Sequence, residues 1–393
     1  MSEVRKSDVL VVGSGSVGNA AAYFLAKAGL SVNVLEKETV GNGSSTRNGG
    51  LNKMNFRGVP ELSIAMYGVE DIWPMLQEDL QKEVGVDIEY ETTGGYRCAA
   101  TDEEMKKLKT FIPHAEKENM HLEFIDGMEL RKRIPQFSEK VVGASYCAEE
   151  GRANPLKTTL GLYSAARDFG AKFYDNEKAI QIDLVKGAAR RVVTEQGNVY
   201  EADHIIVAAC YGSRELLNTV DIDIPFTHAL CEVFVTEPVP IFMKEIVISS
   251  TGAYYGHQTA HGSLVFGAGS KFGPFSREGT YVEKRLTSQM IPSGAKGLME
   301  VFPFLEKTKI IRSWSGWHDR TPDDTTCLEA IEEVPGLYIA CGFSGHGFGI
   351  AAPVGKVLSE MVMGEPLGAD ISQLRFDRFL PMDPFTGADR VKY

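Results

Sequence analysis

The chain has no Cys-x-x-Cys pair. Its six cysteines, Cys98, Cys147, Cys210, Cys231, Cys327 and Cys341, are widely scattered. That spacing excludes a sequence-local zinc site, an iron–sulfur ligand run or a redox dithiol, and leaves reduced thiols as the expectation. No metal ligands are assigned. No stretch approaches the ~18 to 20 consecutive apolar residues of a membrane span. The opening, MSEVRKSDVLVV, runs into an apolar strand pattern without a leader-type segment, so a cytoplasmic location is expected. Basic runs are also missing. With 41 Lys and Arg against 53 Asp and Glu, the formal charge of −12 argues against sequence-independent nucleic-acid binding. What remains is ordinary: 43% hydrophobic and 24% charged residues over 393 positions, enough at ~150 residues per domain for two or three domains with a large core.

The N-terminal stretch carries the strongest motif. Residues 8–12 form an apolar run suited to a buried parallel strand. Gly13, Gly15 and Gly18 then make a G-x-G-x-x-G turn before an Ala-rich helical segment, 19–28. The first glycine permits a tight turn, the second lets the backbone approach a pyrophosphate at the helix N-terminus, and the third lets helix pack on strand. Ser16 and Val17 join the candidate contacts. A second strand, 31–35, ends at Glu36 and Lys37. A carboxylate there accepts from both ribose hydroxyls of an adenosine and repels a 2′-phosphate, so the pattern implies a dinucleotide without that phosphate. A glycine turn serving helix packing alone is the other reading.

Further along, 41–57 is a polar loop rich in Gly, Asn and Ser. Ser45, Arg47 and Asn48 offer donors there, and Gly49 and Gly50 let backbone lie flat against a ligand. Residues 62–84 have helical spacing broken at Pro74, 86–100 alternate as strands, and Thr101 precedes three acids like an N-cap. Helices are expected at 128–134 and 156–169, strands at 141–146 and 172–174, and a β-rich excursion at 180–202. A buried strand, 204–209, ends in small residues. Ala179, Ala209 and Gly212 are candidate cofactor contacts, although close backbone packing explains small residues equally well. From 225 to 275 the pattern is alternating and aromatic, as in an antiparallel sheet. Residues 281–305 read as helical and 308–317 as a strand. Near the end, a strand at 336–340, a loop containing Gly342, Gly345, His346, Gly347, Phe348 and Gly349, and a helix at 350–363 repeat the N-terminal architecture.

Taken in this order, the N-terminal unit, Ser45-Thr46-Arg47-Asn48-Gly49-Gly50, Glu150-Gly151 with Asn154-Pro155, Thr321-Pro322-Asp323 and the C-terminal glycine loop resemble the D-amino-acid oxidase superfamily of FAD enzymes over nearly the full length. Within it, Trp314-Ser315-Gly316-Trp317-His318-Asp319-Arg320 is similar to the β subunits of hetero-oligomeric sarcosine oxidases and the related opine, proline and hydroxyproline dehydrogenases.

The resemblance implies an α/β fold: a discontinuous, doubly wound Rossmann-like FAD-binding domain (1–85, 141–215 and 318–393) and a substrate domain with an antiparallel sheet and helices (86–140 and 216–317). It implies non-covalent FAD, with Cys327 and Cys341 packing rather than tethering it. The implied chemistry is oxidation of the C–N bond of an N-substituted or cyclic amino acid such as an opine or hydroxyproline, by hydride transfer to flavin N5. Electrons would pass to a partner subunit carrying FMN, FAD or an iron–sulfur cluster. An oxidase of sarcosine or glycine type releasing hydrogen peroxide is the alternative, and an assembly subunit with structural FAD is another.

Monomeric relatives place a carboxylate-holding lysine where Gly349 stands, which leaves room for a bulkier substituent. They also place an oxygen-activating lysine on the strand that here reads Ser263-Leu264-Val265-Phe266-Gly267. The site candidates are therefore Tyr255, or its neighbour Tyr254, and His318, Arg320 and His346, with His257 and His261 nearby. Arg320 is the substitute carboxylate anchor, unless it pairs with Asp319, Asp323 or Asp324. His346 contacts flavin or substrate, or only shapes its loop. Arg47 and Lys53 neutralise a diphosphate or bind substrate.

Overall fold

The computed structural model describes residues 4–55, 57–272 and 290–379. Its strands fall into two large sheets and one small ladder, and the first large sheet is organised by Val4–Val12. That strand pairs in parallel with Val199–Val207 on one side and Val32–Leu35 on the other. Its last four residues are all buried, as expected of a central parallel strand covered on both faces. Outward from this centre lie Leu337–Cys341 and Cys327–Ala330 on one flank and Lys172–Tyr174 on the other, with the hairpin Ala179–Val185 and Ala188–Thr194 attached to Val199–Val207. The helices Ser16–Lys27, Pro155–Asp168 and Phe348–Met363 pack together over one face. A Cβ on Gly355 would stand 2.3 Å from that of Ala20, so these helices approach at backbone distance.

The second sheet runs in the order Ile310–Arg320, Thr227–Thr236, Leu264–Phe272, Tyr254–Gln258, Ile246–Ser249, Gly95–Ala99, Gly143–Cys147 and Leu122–Asp126. It is antiparallel except where Ile246–Ser249 runs parallel to Gly95–Ala99. Its own core holds Tyr96, Phe137, Phe234, Phe266 and Phe302. The strand Gly143–Cys147, inside the stretch assigned from sequence to the cofactor domain, is hydrogen-bonded into this sheet.

Local signals were realised where side chains act on their own backbone. Thr101 accepts the Glu104 N–H at 3.2 Å while the Glu104 carboxylate accepts from Ala100 N, one residue before the cap, at 2.9 Å, a reciprocal cap opening the helix Asp102–Lys109. Asn154 Oδ1 accepts the Lys157 N–H at 3.1 Å and so caps Pro155–Asp168. Pro74 sits at the start of Trp73–Val84, after the helix Leu62–Tyr67 and a wider turn, Gly68–Ile72. The alternation over 86–100 gives a strand only at Gly95–Ala99. Before it, Ile88 O is taken by Asn154 N and Glu91 bridges Arg152, so this backbone pairs across a loop instead. Of the helix expected over 281–305, Met290–Val301 forms, and 281–289 lie outside the described residues. Among the described residues no helix is long and apolar enough to cross a membrane.

Candidate active site

The carboxyl ends of the first sheet's parallel strands and the inner face of the second sheet enclose one cavity of about 950 Å³. At its first end, Gly13 has φ +107 and no room for a Cβ, which would lie 2.4 Å from Ala208 O. A Cβ on Gly18 would lie 1.9 Å from Gly13 O, so Gly18 sits behind the wall and closes helix onto turn. Gly15, Ser16 and Val17 line the cavity, and Ser45 Oγ accepts the Ser16 N–H at 2.8 Å. Glu36 follows Val32–Leu35 and is fixed by two backbone donors, Ser14 N to Oε2 and Glu38 N to Oε1, each at 3.0 Å. Lys37, Ala179, Ala209 and Gly212 complete this wall. A helix N-terminus, a turn with no room for a Cβ at Gly13 or Gly18 and an anchored carboxylate fit the diphosphate and ribose of FAD.

The polar loop forms the cavity's middle. Asn48 shapes it, donating to Ser45 O at 2.7 Å and accepting from Gly50 N at 2.9 Å. Arg47 donates to Asn42 Oδ1 at 2.9 Å. A Cβ on Gly50 would strike Ala153 O. Gly49 lies flat against the Tyr255 ring, its would-be Cβ 3.2 Å from Cε2, and that ring also covers Gly267 on the next strand. The Tyr255 hydroxyl lies 2.8 Å from Cys231 Sγ. Tyr254 also reaches the cavity but packs in the second core. His257 is outside the lining. Its Nδ1 lies 3.0 Å from Arg152 Nη1, and burial together with that guanidinium pushes it down to about 4. His261 is outside the lining as well.

The C-terminal glycine loop is held by a residue that sequence reading did not single out. Asp319, buried on the strand Ile310–Arg320, accepts from Gly342 N at 2.6 Å and Phe343 N at 3.2 Å, and its carbonyl accepts from Ser344 N at 3.0 Å. Gly345, His346, Gly347 and Phe348 line the cavity, whereas Gly342 and Gly349 do not. The expectation that Gly349 frees cavity space is corrected here. A Cβ at that position would meet Arg57 Nη2 and Leu51 O, both at 3.1 Å, so the Arg57 guanidinium stands where a side chain would begin. His318 packs on Gly345. Burial, with the charges of His346, Arg320 and Lys53, pushes it down to about 3 and keeps it neutral.

Arg320 is gripped by both oxygens of Asp324, the ion-pair alternative left open above. His346 is tied rather than loose. Its Nδ1 lies 3.2 Å from Glu61 Oε2 and 3.3 Å from Arg57 Nη1, and its Nε2 lies 3.0 Å from Asp324 O. Glu61 is 0% exposed and also accepts from Arg57 Nη1 at 2.9 Å and Thr326 N at 2.8 Å. Burial alone would raise its carboxyl, but His346, Arg57 and the Thr326 N–H hold it well below the usual range. That contribution to stability is present above the ordinary Glu value of ~4.3 and is lost as pH falls through the depressed folded value. In Glu61→Gln the midpoint of urea unfolding should therefore change less between pH 5 and pH 3 than in the native protein. At neutral pH the variant should be about 3 kcal/mol less stable, because Arg57 is left buried without its partner.

At the end of the cavity near Arg57 and Arg97, one cation lacks such a partner. Among the described residues, no hydrogen bond or ion pair is made by the Lys53 ammonium, which lines the cavity beside Arg57 and Arg97. Burial and these two guanidinium groups push it down to about 7, against the pull of Glu61 and Glu150. Arg57, Glu61, Arg97 and Glu150 were not picked out as site residues from sequence. The only signal for any of them was Glu150-Gly151 within the family-like segment.

Two sheets meeting over a dinucleotide cradle, with Lys53, Arg57, Arg97 and Arg320 lining the rest of the cavity, fit a nucleotide-dependent oxidoreductase. The chain belongs to the family described as FAD dependent oxidoreductase, whose model matches residues 8–361. It is 26% identical over 382 residues to the beta subunit of sarcosine oxidase from Rhodobacter capsulatus, covering 95% of this chain and 89% of that protein. It is 23% identical to an opine oxidase subunit from Rhizobium meliloti over 95% of this chain and 97% of that one. The solved structure of L-proline dehydrogenase from P. horikoshii superposes with a TM-score of 0.85 at 26% identity, over 96% of this chain and 99% of that one.

Proposed function

We propose that this FAD enzyme oxidises the C–N bond of an N-substituted or cyclic amino acid, an opine or a proline-like compound, and passes the electrons to a partner subunit. The observation that carries this reading is the Lys53 ammonium, unpaired among the described residues, in the same cavity as the dinucleotide cradle. A cation half-buried without an acceptor is costly unless its ligand supplies the anion, and a substrate carboxylate fits. The relatives named for sarcosine, opine and L-proline support the substrate class, and two of them are named as enzyme subunits.

The turn from Gly13 to Gly18 together with Glu36 would hold FAD, which would supply the hydride acceptor for the carbon that bears nitrogen. The chain's own residues position the substrate. Lys53 takes the carboxylate, the Tyr255 ring wedged between Gly49 and Gly267 forms a wall, and neutral His318 lets the amine lie beside it without charge repulsion. Arg320, already paired with Asp324, and His346, tied to Glu61, shape the far rim. The cofactor domain is taken as 1–85, 141–215 and 318–393 and the substrate domain as 86–140 and 216–317, except that Gly143–Cys147 and the end of Ile310–Arg320 pair within the second sheet; 1–3, 56, 273–289 and 380–393 lie outside the described residues.

The test is anaerobic mixing of the purified protein with a panel of opines, cyclic amino acids, sarcosine and glycine, read by loss of flavin absorbance. Bleaching by a substituted or cyclic amino acid, with little peroxide formed in air and turnover restored by an artificial dye, is the expected result. Peroxide matching substrate use would assign an oxidase instead. A flavin that no amine bleaches would assign a structural cofactor.

A further inference from the structure

Glu150 is 1% exposed and lies behind the cavity wall, next to the cations that face the substrate end. Its Oε1 accepts the backbone N–H of Met54 at 2.7 Å and of Asn55 at 2.8 Å, the two residues that follow Lys53. Asn55 is fixed in turn, its Nδ2 donating to Ser145 Oγ at 2.7 Å and Ser145 O at 3.1 Å. The other carboxylate oxygen lies against Gly95, where a Cβ would come within 2.0 Å of it, on the strand that carries Arg97. One carboxylate thus clamps the backbone that follows Lys53 and feels the charges of both Arg97 and Lys53.

We propose that Glu150 is a positioning residue that sets both the direction and the charge of the Lys53 ammonium, and through it the pH range over which the enzyme holds a substrate carboxylate. This rests on the reading of Lys53 given above. The groups that face Lys53 are Arg57, Glu61, Arg97, Glu150 and His318, drawn from four separate segments. Of these, Glu61 is committed to Arg57 and His346, and the others are cationic or neutral. Glu150 is therefore the acid whose charge is left to support Lys53.

Burial raises Glu150 to about 7 against the two backbone N–H groups, Arg97 and Lys53, so acid and amine exchange protons in the same range and titrate as a coupled pair. As Glu150 ionises in that range, its charge favours the protonated form of Lys53. Without it, the ammonium beside two guanidinium groups gives up its proton at lower pH.

The holoenzyme is titrated with propanoate, a carboxylate with no amine to oxidise, and binding is read from the perturbed flavin spectrum between pH 5.5 and 9. Native protein should lose affinity as pH rises through neutrality. Glu150→Gln keeps an oxygen for both backbone N–H groups and removes only charge, so its midpoint should move to lower pH by about one unit. Glu150→Asp keeps the charge and shortens the reach, and its midpoint should stay with the native one even if overall affinity falls. Coincident midpoints for native protein and Glu150→Gln, or a midpoint that moves in Glu150→Asp but not in Glu150→Gln, would overturn the proposal. So would a native profile that is flat across the range, which decides the matter even if both variants fail to hold FAD. Lys53→Met separates the two levels. If it binds propanoate as native protein does, the reading of Lys53 fails. If it binds weakly while Glu150→Gln keeps the native profile, only the role of Glu150 fails.

Discussion

Lys53→Met holoenzyme should bind propanoate about a hundredfold more weakly than native protein at pH 6, a loss of about 2.7 kcal/mol at 1.36 kcal/mol per tenfold. The figure follows from removing the charged donor of a carboxylate held in a half-buried site, where truncating one partner of such a pair costs ~2–5 kcal/mol. Methionine keeps the length and apolar body of lysine, so the wall is preserved while the charge is lost. The effect should shrink toward pH 9, because the native ammonium, pushed down to about 7 by burial and by Arg97 and Arg57, is by then largely neutral. The flavin-perturbation titration checks both the size and the pH trend. An affinity unchanged at pH 6 would place the carboxylate elsewhere in the cavity.

The second large effect is expected at Gly18. A Cβ there meets Gly13 O at 1.9 Å, and both atoms belong to the turn itself. No side chain can rotate aside, so the helix Ser16–Lys27 must lift off the strand it follows. Gly18→Ala should lose about 3 kcal/mol of stability or more, at the upper end of overpacking costs, and should purify with little FAD. Gly15→Ala is the informative contrast. Its Cβ meets only the Ser45 side chain, Oγ at 2.7 Å and Cβ at 3.8 Å, and a serine hydroxyl can turn away. That variant should fold with nearly native thermal stability yet hold FAD more weakly, since the displaced hydroxyl and the new methyl group both intrude on the diphosphate cradle. Flavin absorbance per mole of protein and thermal melts of both variants distinguish the cases.

Much of the cofactor end was legible in the sequence because its chemistry is carried by neighbours in the chain. The turn from Gly13 to Gly18, the helix that follows and Glu36 at the end of the next strand lie in one unit whose geometry is fixed by backbone sterics and strand–helix packing, so residue type and spacing suffice to read it. The capping residue Thr101 was legible for the same reason. The polar loop over 41–57 stood out by its composition, but not the arrangement within it, where Asn48 shapes the loop and Lys53 faces the cavity.

The substrate end depended on contacts between distant segments. Arg320 and Asp324 stand four residues apart and their pairing was among the sequence alternatives, but nothing local chose it over Asp319 or Asp323. Asp319 was instead drawn to the glycine loop by the backbone N–H groups of Gly342 and Phe343. Gly349 seemed from its place in the motif to open space, yet Arg57 stands against it. By itself, then, the sequence determined the nucleotide cradle, the family-like order of motifs and the class of chemistry. The tertiary structure alone decided which cations are already neutralised, by Glu61 and Asp324, and that Lys53 faces the cavity with no partner among the described residues. The physical reason is that glycine sterics and capping act over a few residues along the chain, whereas the charge state and pairing of a buried ion depend on every group that folding brings around it.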